Sequence, residues 1–392
     1  MDRVEAAYID WALGQTRTPL FLARVFAGYA LLDAAGMAAF LGLADNLDAP
    51  DLVSRLALRQ TPDRRRAEAT LRRLAVSWAP RARLQPLLAR ALKPGYRAVS
   101  VGHANQTARV YAALRGSGAG QIVTLIHDVI PLDYPEYTRP GAVERFRDQL
   151  GVIAKGSDLL IYNSAYTAAQ SMHWLTGMGL PRAGVTAHLG LAEGLTPVPR
   201  APTAHPAFLT LGTIEPRKNH LLLLSLWRRF HDTLPTDKIP HLHIIGRRGW
   251  ENEMVVDVLE RAPFMGKTVF EHGFLDDAAL AQHLAGARAL LFPSLAEGFG
   301  LPLVEGLAAG LPVICSDIPP FRELGGTAPT YLDPLDGTGW LSAILDLSTP
   351  IMPGTGTRVV PSLPSWSTHF RTVEAAMEHA LGHGQTGAGH EA

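Results

Sequence analysis

Strand-length apolar runs alternate with helix-length runs twice along this chain, and a proline-dense stretch separates the two rounds. This rhythm limits the fold more than any other feature. A strand, a helix and a second strand close most readily into a parallel sheet covered on both faces. In the first round Ala98 to Gly102, Gln121 to Ile126, Asp158 to Tyr162 and Gly184 to His188 read as strands, with helices at Ala142 to Lys155 and Tyr166 to Leu175. Leu195 to Pro206, with four prolines, reads as a linker. Strands then recur at Phe208 to Gly212, His241 to Gly246, Val269 to His272, Ala289 to Pro293 and Val313 to Cys315. Helices fall at His220 to Phe230, Asn252 to Arg261 and Asp276 to Gly286. At 392 residues the chain has room for two domains of ordinary size. The expected organisation is α/β: one doubly wound domain over 1–194, the linker over 195–206, a second such domain over 207–347, and a closing helix over 365–382. Ligands of such sheets bind at the carboxyl ends of the strands.

The stretch SLAEGFGLPLVEGLAAGLPVICSDIPPFRE, Ser294 to Glu323, carries the clearest chemistry. The turn Gly298-Phe299-Gly300 lets backbone approach a ligand closely, because glycine has no Cβ. Pro302 belongs at the start of a helix, where a missing N–H costs nothing. The free amides and positive dipole end of that helix suit a phosphate or a polar sugar. Glu297 lies in the loop and Glu305 in the helix, so each carboxylate can grip a different part of an elongated ligand.

These residues resemble the E-x7-E signature of retaining glycosyltransferases of family 4, which have the GT-B fold of two Rossmann-like domains facing a cleft. LTLGTIEPRKNHLLLL, Leu209 to Leu224, resembles the strand, glycine turn and basic pair that open the donor-binding domain of that family. The likeness spans roughly residues 97 to 325. It implies a nucleoside-diphosphate sugar as donor, in the role of substrate and not cofactor. Lys218 falls on the family's phosphate-binding lysine; the arginine usual just after the glycine Gly212 is Thr213 here, and Arg217 stands in for it. Glu297 would hold sugar hydroxyls, with the Gly298, Phe299, Gly300 and Leu301 backbone around them, and Glu305 the ribose. Arg247 is a weaker diphosphate candidate, and Gly273, Phe274 and Leu275 resemble the segment that meets the base. His127 would position the acceptor hydroxyl or stabilise positive charge, with Asp128, Asn163 and Ser164 shaping the acceptor pocket. Asn163-Ser164 fits a simple helix cap equally well. No metal is expected, since the sequence lacks an Asp-x-Asp ligand pair and protein cations can neutralise the departing diphosphate. HDVIPLDYPEYT, residues 127 to 138, resembles mannosyl- and rhamnosyl-type members, which points to mannose and to surface polysaccharide assembly.

One departure concerns the start. DRVEAAYIDWAL resembles the first helix of the acceptor domain, yet the strand and glycine turn that normally precede it are missing from the sequence given. Two rivals follow: a GT-B sugar-nucleotide epimerase, against which the E-x7-E segment argues, and a non-catalytic sugar-nucleotide-binding partner subunit. A nicotinamide-dependent enzyme fits worse, because no Gly-x-Gly-x-x-Gly follows an early strand.

Formal charge is zero overall but uneven: Arg55 to Arg97 holds twelve Lys/Arg against Asp63 and Glu68. This segment reads either as a solvated helical face or as a docking surface for anionic lipid headgroups. Nucleic acid is disfavoured, since few aromatics are interleaved for stacking on bases. Leu20 to Leu43 is mostly apolar, but Arg24 and Asp33 interrupt it, so a buried or surface-lying helical hairpin is expected and not a membrane span. The single cysteine, Cys315, lies in an apolar run and reads as a packed core thiol. With no apolar leader after Asp2, Arg3 and Glu5, a cytoplasmic protein is expected, peripheral to the inner face of the membrane.

Overall fold

The structure is a computed structural model that describes residues 3–43, 46–182, 184–191, 205–349 and 362–386. Nearly all of the expected proline-rich linker lies outside the described residues. Among the described residues thirteen strands form three sheets. The first sheet is antiparallel: β1 (Phe21–Val25), β2 (Gly28–Leu32) and β3 (Ser77–Pro80) in that order. The second is parallel and ordered β4 (Arg97–Ser100), β5 (Gln121–Ile126), β6 (Leu159–Tyr162), β7 (Gly184–Thr186).

The third sheet is also parallel. It contains β8 (Ala207–Leu211), β9 (His241–Ile245), β10 (Val269–Glu271), β11 (Ala289–Phe292), β12 (Val313–Ser316) and β13 (Thr330–Leu332). Their order is β10-β9-β8-β11-β12-β13, so the strand order reverses between β8 and β11. Ligands of such sheets bind at the carboxyl ends of the strands where the order reverses.

The strands β4 to β12 are the expected ones, with ends shifted by a residue or two, whereas β1, β2, β3 and β13 were not expected. β5, β6, β11 and β12 are buried along their whole length, as strands covered on both faces must be. Cys315 is fully buried, and burial pushes its thiol well above the usual range. Among the described residues no strand precedes the helix Arg3–Leu13.

The helical hairpin expected at Leu20 to Leu43 is not there. β1 pairs with β2 through the turn at Phe26-Ala27, and a helix begins only at Ala34, capped by Asp33, whose carboxylate accepts from Gly36 N at 2.7 Å. The misreading has a physical source. Every residue of β2 is buried, so the alternation that marks a strand is erased. Its partner β3 lies 45 residues further on and gives no local signal.

The helix Trp366–Thr386 crosses back to the first domain and extends past the expected end at 382. Its His369 bonds Tyr8 Oη at 2.8 Å, Glu374 accepts from Trp11 Nε1 at 2.9 Å, and the Met377 carbonyl accepts from Gln121 at 2.9 Å. One apolar cluster runs through both domains, including Val123 and Leu125 of β5 with Leu209 and Leu211 of β8. Among the described residues no helix is long and apolar enough to cross a membrane.

Candidate active site

Because β8 and β11 are parallel neighbours, the loops after Leu211 and Phe292 lie side by side. Gly212, with φ at 135°, lets the first loop turn away from the sheet. A short 3-10 turn, Pro216–Lys218, then leads into the helix His220–Thr233. Leu295 N donates to the Arg217 carbonyl at 2.7 Å and ties the two loops together. This brings Lys218 and Glu297 into contact across 79 residues of sequence.

Their contact is an ion pair inside a buried group of charges. Lys218 Nζ donates to Glu297 Oε1, Arg217 Nη1 to Glu297 Oε2 at 2.7 Å, and Ser294 Oγ to Glu297 Oε1 at 2.9 Å. Arg217 also pairs with Glu215 at 2.6 Å. Lys218 Nζ lies 4.9 Å from the centre of the Phe292 ring, a cation–π distance. Glu215, Lys218 and Glu297 are buried, and Arg217 is half-buried. Burial acts to raise the Glu297 pKa, but the two cations win and hold it at about 2. Burial pushes Lys218 below its usual range and Glu215 above. Behind them His220 is buried with neither ring nitrogen hydrogen-bonded, and burial together with Lys218 lowers its pKa to about 3.

The first domain supplies the facing wall. His127 and Asp128 follow β5, and the His127 ring bonds the Val101 carbonyl at 2.7 Å. A Cβ on Gly298 would lie 2.4 Å from the His127 carbonyl oxygen and 2.7 Å from Asp128 Cβ. The glycine there therefore admits a close approach of the other domain's backbone. Gly300 is needed as well: its φ is 107°, and a Cβ would lie 2.7 Å from the Phe321 ring. Asn163 donates to the His127 carbonyl at 2.7 Å. Ser164 caps the helix Ala165–Gly177 and donates to the Gly298 carbonyl at 2.6 Å. Ser164 and Asn163 thus brace the junction between the domains. Asp128 accepts from Ile130 N at 3.1 Å, and its charge helps to raise the Arg217 pKa.

Residues 196–328 match the family model described as Glycosyl transferases group 1. Over 233 residues the chain is 32% identical to the serotype-specific mannosyltransferase WbdA of Escherichia coli, covering 54% of this chain and 28% of that protein. Over 130 residues it is 36% identical to O-antigen chain mannosyltransferase B of Escherichia coli, 33% of each chain. Over 148 residues it is 31% identical to O-antigen chain mannosyltransferase RfbU of Salmonella typhimurium, 36% of this chain and 38% of that one. The chain therefore spans about a third of the length of these curated relatives. Among solved structures, Anabaena HepE in complex with UDP and glucose superposes with a TM-score of 0.58 at 16% identity, over 75% of this chain and 80% of that one. The N-terminal domain of Candida albicans trehalose-6-phosphate phosphatase gives 0.57 at 12% identity, over 75% and 72%. The fold is GT-B.

The remaining candidates have partners outside that group of charges. Glu305 is buried in the helix Leu301–Ala308, and the Arg3 guanidinium from the N-terminal helix pairs with it. Arg247 stacks over the exposed Phe274 ring at 4.9 Å, with Gly273 and Leu275 flanking that ring in sequence. Thr213 is exposed beside Gly212. Two acids escaped the sequence reading. Glu215, in the same Glu-Pro-Arg-Lys run as the basic pair, was its most readable omission. Glu323 accepts from Ala165 N at 2.7 Å, Tyr166 N at 3.1 Å and His188 at 2.6 Å, so the second domain caps a helix of the first. A cavity of about 390 Å³ borders His188, Glu323 and His369 at this junction and includes none of the donor candidates.

Proposed function

We propose that this chain is a retaining hexosyltransferase. It moves mannose from a nucleoside-diphosphate sugar to a glycan or lipid-linked saccharide acceptor in surface polysaccharide assembly, with no metal in the transfer step. One observation carries the reading: two protein cations, half-buried Arg217 and buried Lys218, pair with Glu297 at the carboxyl ends of β8 and β11, opposite His127 of the other domain. A departing diphosphate develops negative charge, and fixed cations in a water-poor crevice stabilise it most where they need no reorganisation. The mannosyltransferase names of the relatives support the sugar and the acceptor class.

In this reading the diphosphate takes over part of the hydrogen bonding of Lys218 and Arg217. That frees Glu297 to accept from the sugar hydroxyls. The bond from the anomeric carbon to the leaving phosphate breaks while the acceptor oxygen bonds on the same face, and the acceptor proton passes to the departing phosphate oxygen. His127 orients the acceptor hydroxyl. The base and ribose lie toward Gly273 to Leu275 and Glu305, and Arg3 yields the Glu305 carboxylate to the ribose.

The same reading places the chain on the cytoplasmic membrane face. Leu52, Leu56 and Leu58 are 78%, 72% and 83% exposed and interleave with Arg55 and Arg59, a pattern suited to anionic lipid. Part of the basic segment has internal partners instead: Arg64 and Arg72 with Glu68, Arg72 also with Asp51, and Arg73 with Asp48.

The test is turnover with a panel of nucleotide sugars and a mannose-terminated acceptor, followed by NMR of the anomeric centre. A retained α-linkage is expected. Lys218→Ala, checked by circular dichroism to be folded, should lose about 10²–10³-fold in turnover, the scale of removing one charge-stabilising donor. Near-normal turnover in that variant, or an inverted product, ends the reading.

A further inference from the structure

Away from the crevice, β9 carries histidine at two positions of one face, His241 and His243, where a strand covered on both sides normally carries aliphatic residues. Their neighbours across the sheet on β8 are Ala207 and Leu209. Two further histidines close on His243 from other elements: His272, just past β10, and His283, on the helix Asp277–Gly286. His243 Nδ1 and His272 Nε2 are 2.8 Å apart. The His283 ring centre lies 5.1 Å from that of His243 and 4.5 Å from that of His272. One nitrogen from each of the three rings falls within 4.8 Å of the other two. All three are half-buried, and a cavity of about 230 Å³ opens beside His243, Gln282 and His283.

We propose that His243, His272 and His283 bind a zinc ion that ties β9, the end of β10 and the helix Asp277–Gly286 together. Zinc–imidazole bonds of 2.0–2.1 Å in a tetrahedron set nitrogens about 3.3–3.4 Å apart. The observed spacing brackets that value, so small ring rotations bring the three nitrogens to one centre, with water as the fourth ligand. Imidazole suits a borderline ion of the zinc, nickel and copper class, not a hard cation such as magnesium or calcium. Zinc fits a tetrahedral site of three neutral nitrogens best. His243 Nδ1 and His272 Nε2 already face each other at hydrogen-bond distance, so an arriving ion takes the place of that hydrogen bond once the proton between them has moved off. Ring stacking alone would explain the clustering but not why three nitrogens converge on one point.

The site is independent of sugar transfer. It lies one residue before Gly273, so the ion would anchor the segment proposed to meet the base without touching the reacting atoms. Its test reads the metal directly. Purified chain is stripped with chelator, reloaded with Zn²⁺ and desalted, and bound metal is counted by mass spectrometry; Co²⁺ substitution reports ligand geometry by visible absorption. One ion per chain, a higher melting temperature on loading and a tetrahedral Co²⁺ spectrum are expected. His283→Phe and His243→Phe keep an aromatic ring and remove the nitrogen. Each should weaken Zn²⁺ binding at least about 100-fold, since loss of an outer-shell partner alone costs 10–100-fold. Failure of wild-type chain to retain Zn²⁺, or equal retention by both variants, overturns the proposal. Stripped chain should melt lower yet transfer sugar normally, so loss of the metal result leaves the transferase reading standing, and the converse holds.

Discussion

Replacing Glu297 with glutamine removes one negative charge and almost no volume from the most tightly coupled group in the molecule. Its carboxylate accepts from Lys218, from Arg217 at 2.7 Å and from Ser294 at 2.9 Å while only 7% exposed. Folding lowers its pKa from 4.5 to about 2. At about 1.36 kcal/mol for each tenfold change in proton affinity, that shift corresponds to about 3 kcal/mol of stability. A second route gives the same size, since removing one partner of a buried pair costs about 3–5 kcal/mol. Arg217 keeps Glu215 after the change, at 2.6 Å, so Lys218 bears most of the loss.

Urea unfolding followed by circular dichroism measures this effect, because the shared apolar cluster couples the two domains and an unchanged slope isolates the stability term. Glu297→Gln should lose about 3 kcal/mol at pH 7. The sign with pH follows from a folded pKa below the unfolded one. The contribution is complete above about 4.5 and disappears as pH falls toward 2, so wild type and variant should converge over that window. Adding Lys218→Met removes the stranded cation, and the double variant should be more stable than Glu297→Gln alone. A loss under about 1 kcal/mol, or a double variant that loses the sum of the two single changes, refutes the buried-pair argument.

Two other outcomes can be checked beside it. Glu305→Ala should weaken nucleotide binding more than it slows transfer in the bound complex, measured by calorimetry against the free diphosphate nucleotide; unchanged affinity removes the ribose role. Chain mixed with vesicles containing phosphatidylglycerol should sediment with them and be released by salt, since each Lys or Arg near an anionic surface contributes about 1 kcal/mol. Leu56→Asp and Leu58→Asp should abolish that sedimentation, and retention by the variants places the contact elsewhere.

Much of the site was readable because its parts are local in sequence. Glu-Pro-Arg-Lys follows a strand and a glycine, and Glu297 and Glu305 flank a Gly-Phe-Gly turn before a proline-started helix. What their neighbours do was not readable. That Gly298 also lies against the His127 carbonyl could not be read locally, because which backbone comes close depends on how two domains meet. Ser164 and Asn163, expected at an acceptor, spend hydrogen bonds on the Gly298 and His127 carbonyls. Glu323 meets a helix start from the other domain, a partner for which its own sequence surroundings give no signal.

The sequence by itself determined the two rounds of strand and helix and the positions of the chemical groups, since apolar periodicity, proline and glycine act over a few residues. Only the tertiary structure decided which charges cancel, which glycines are squeezed, and that β2 finds its second partner 45 residues later. Those outcomes depend on distances between segments far apart in the chain, and a local pattern carries no record of a distance that forms only when the domains close on one another.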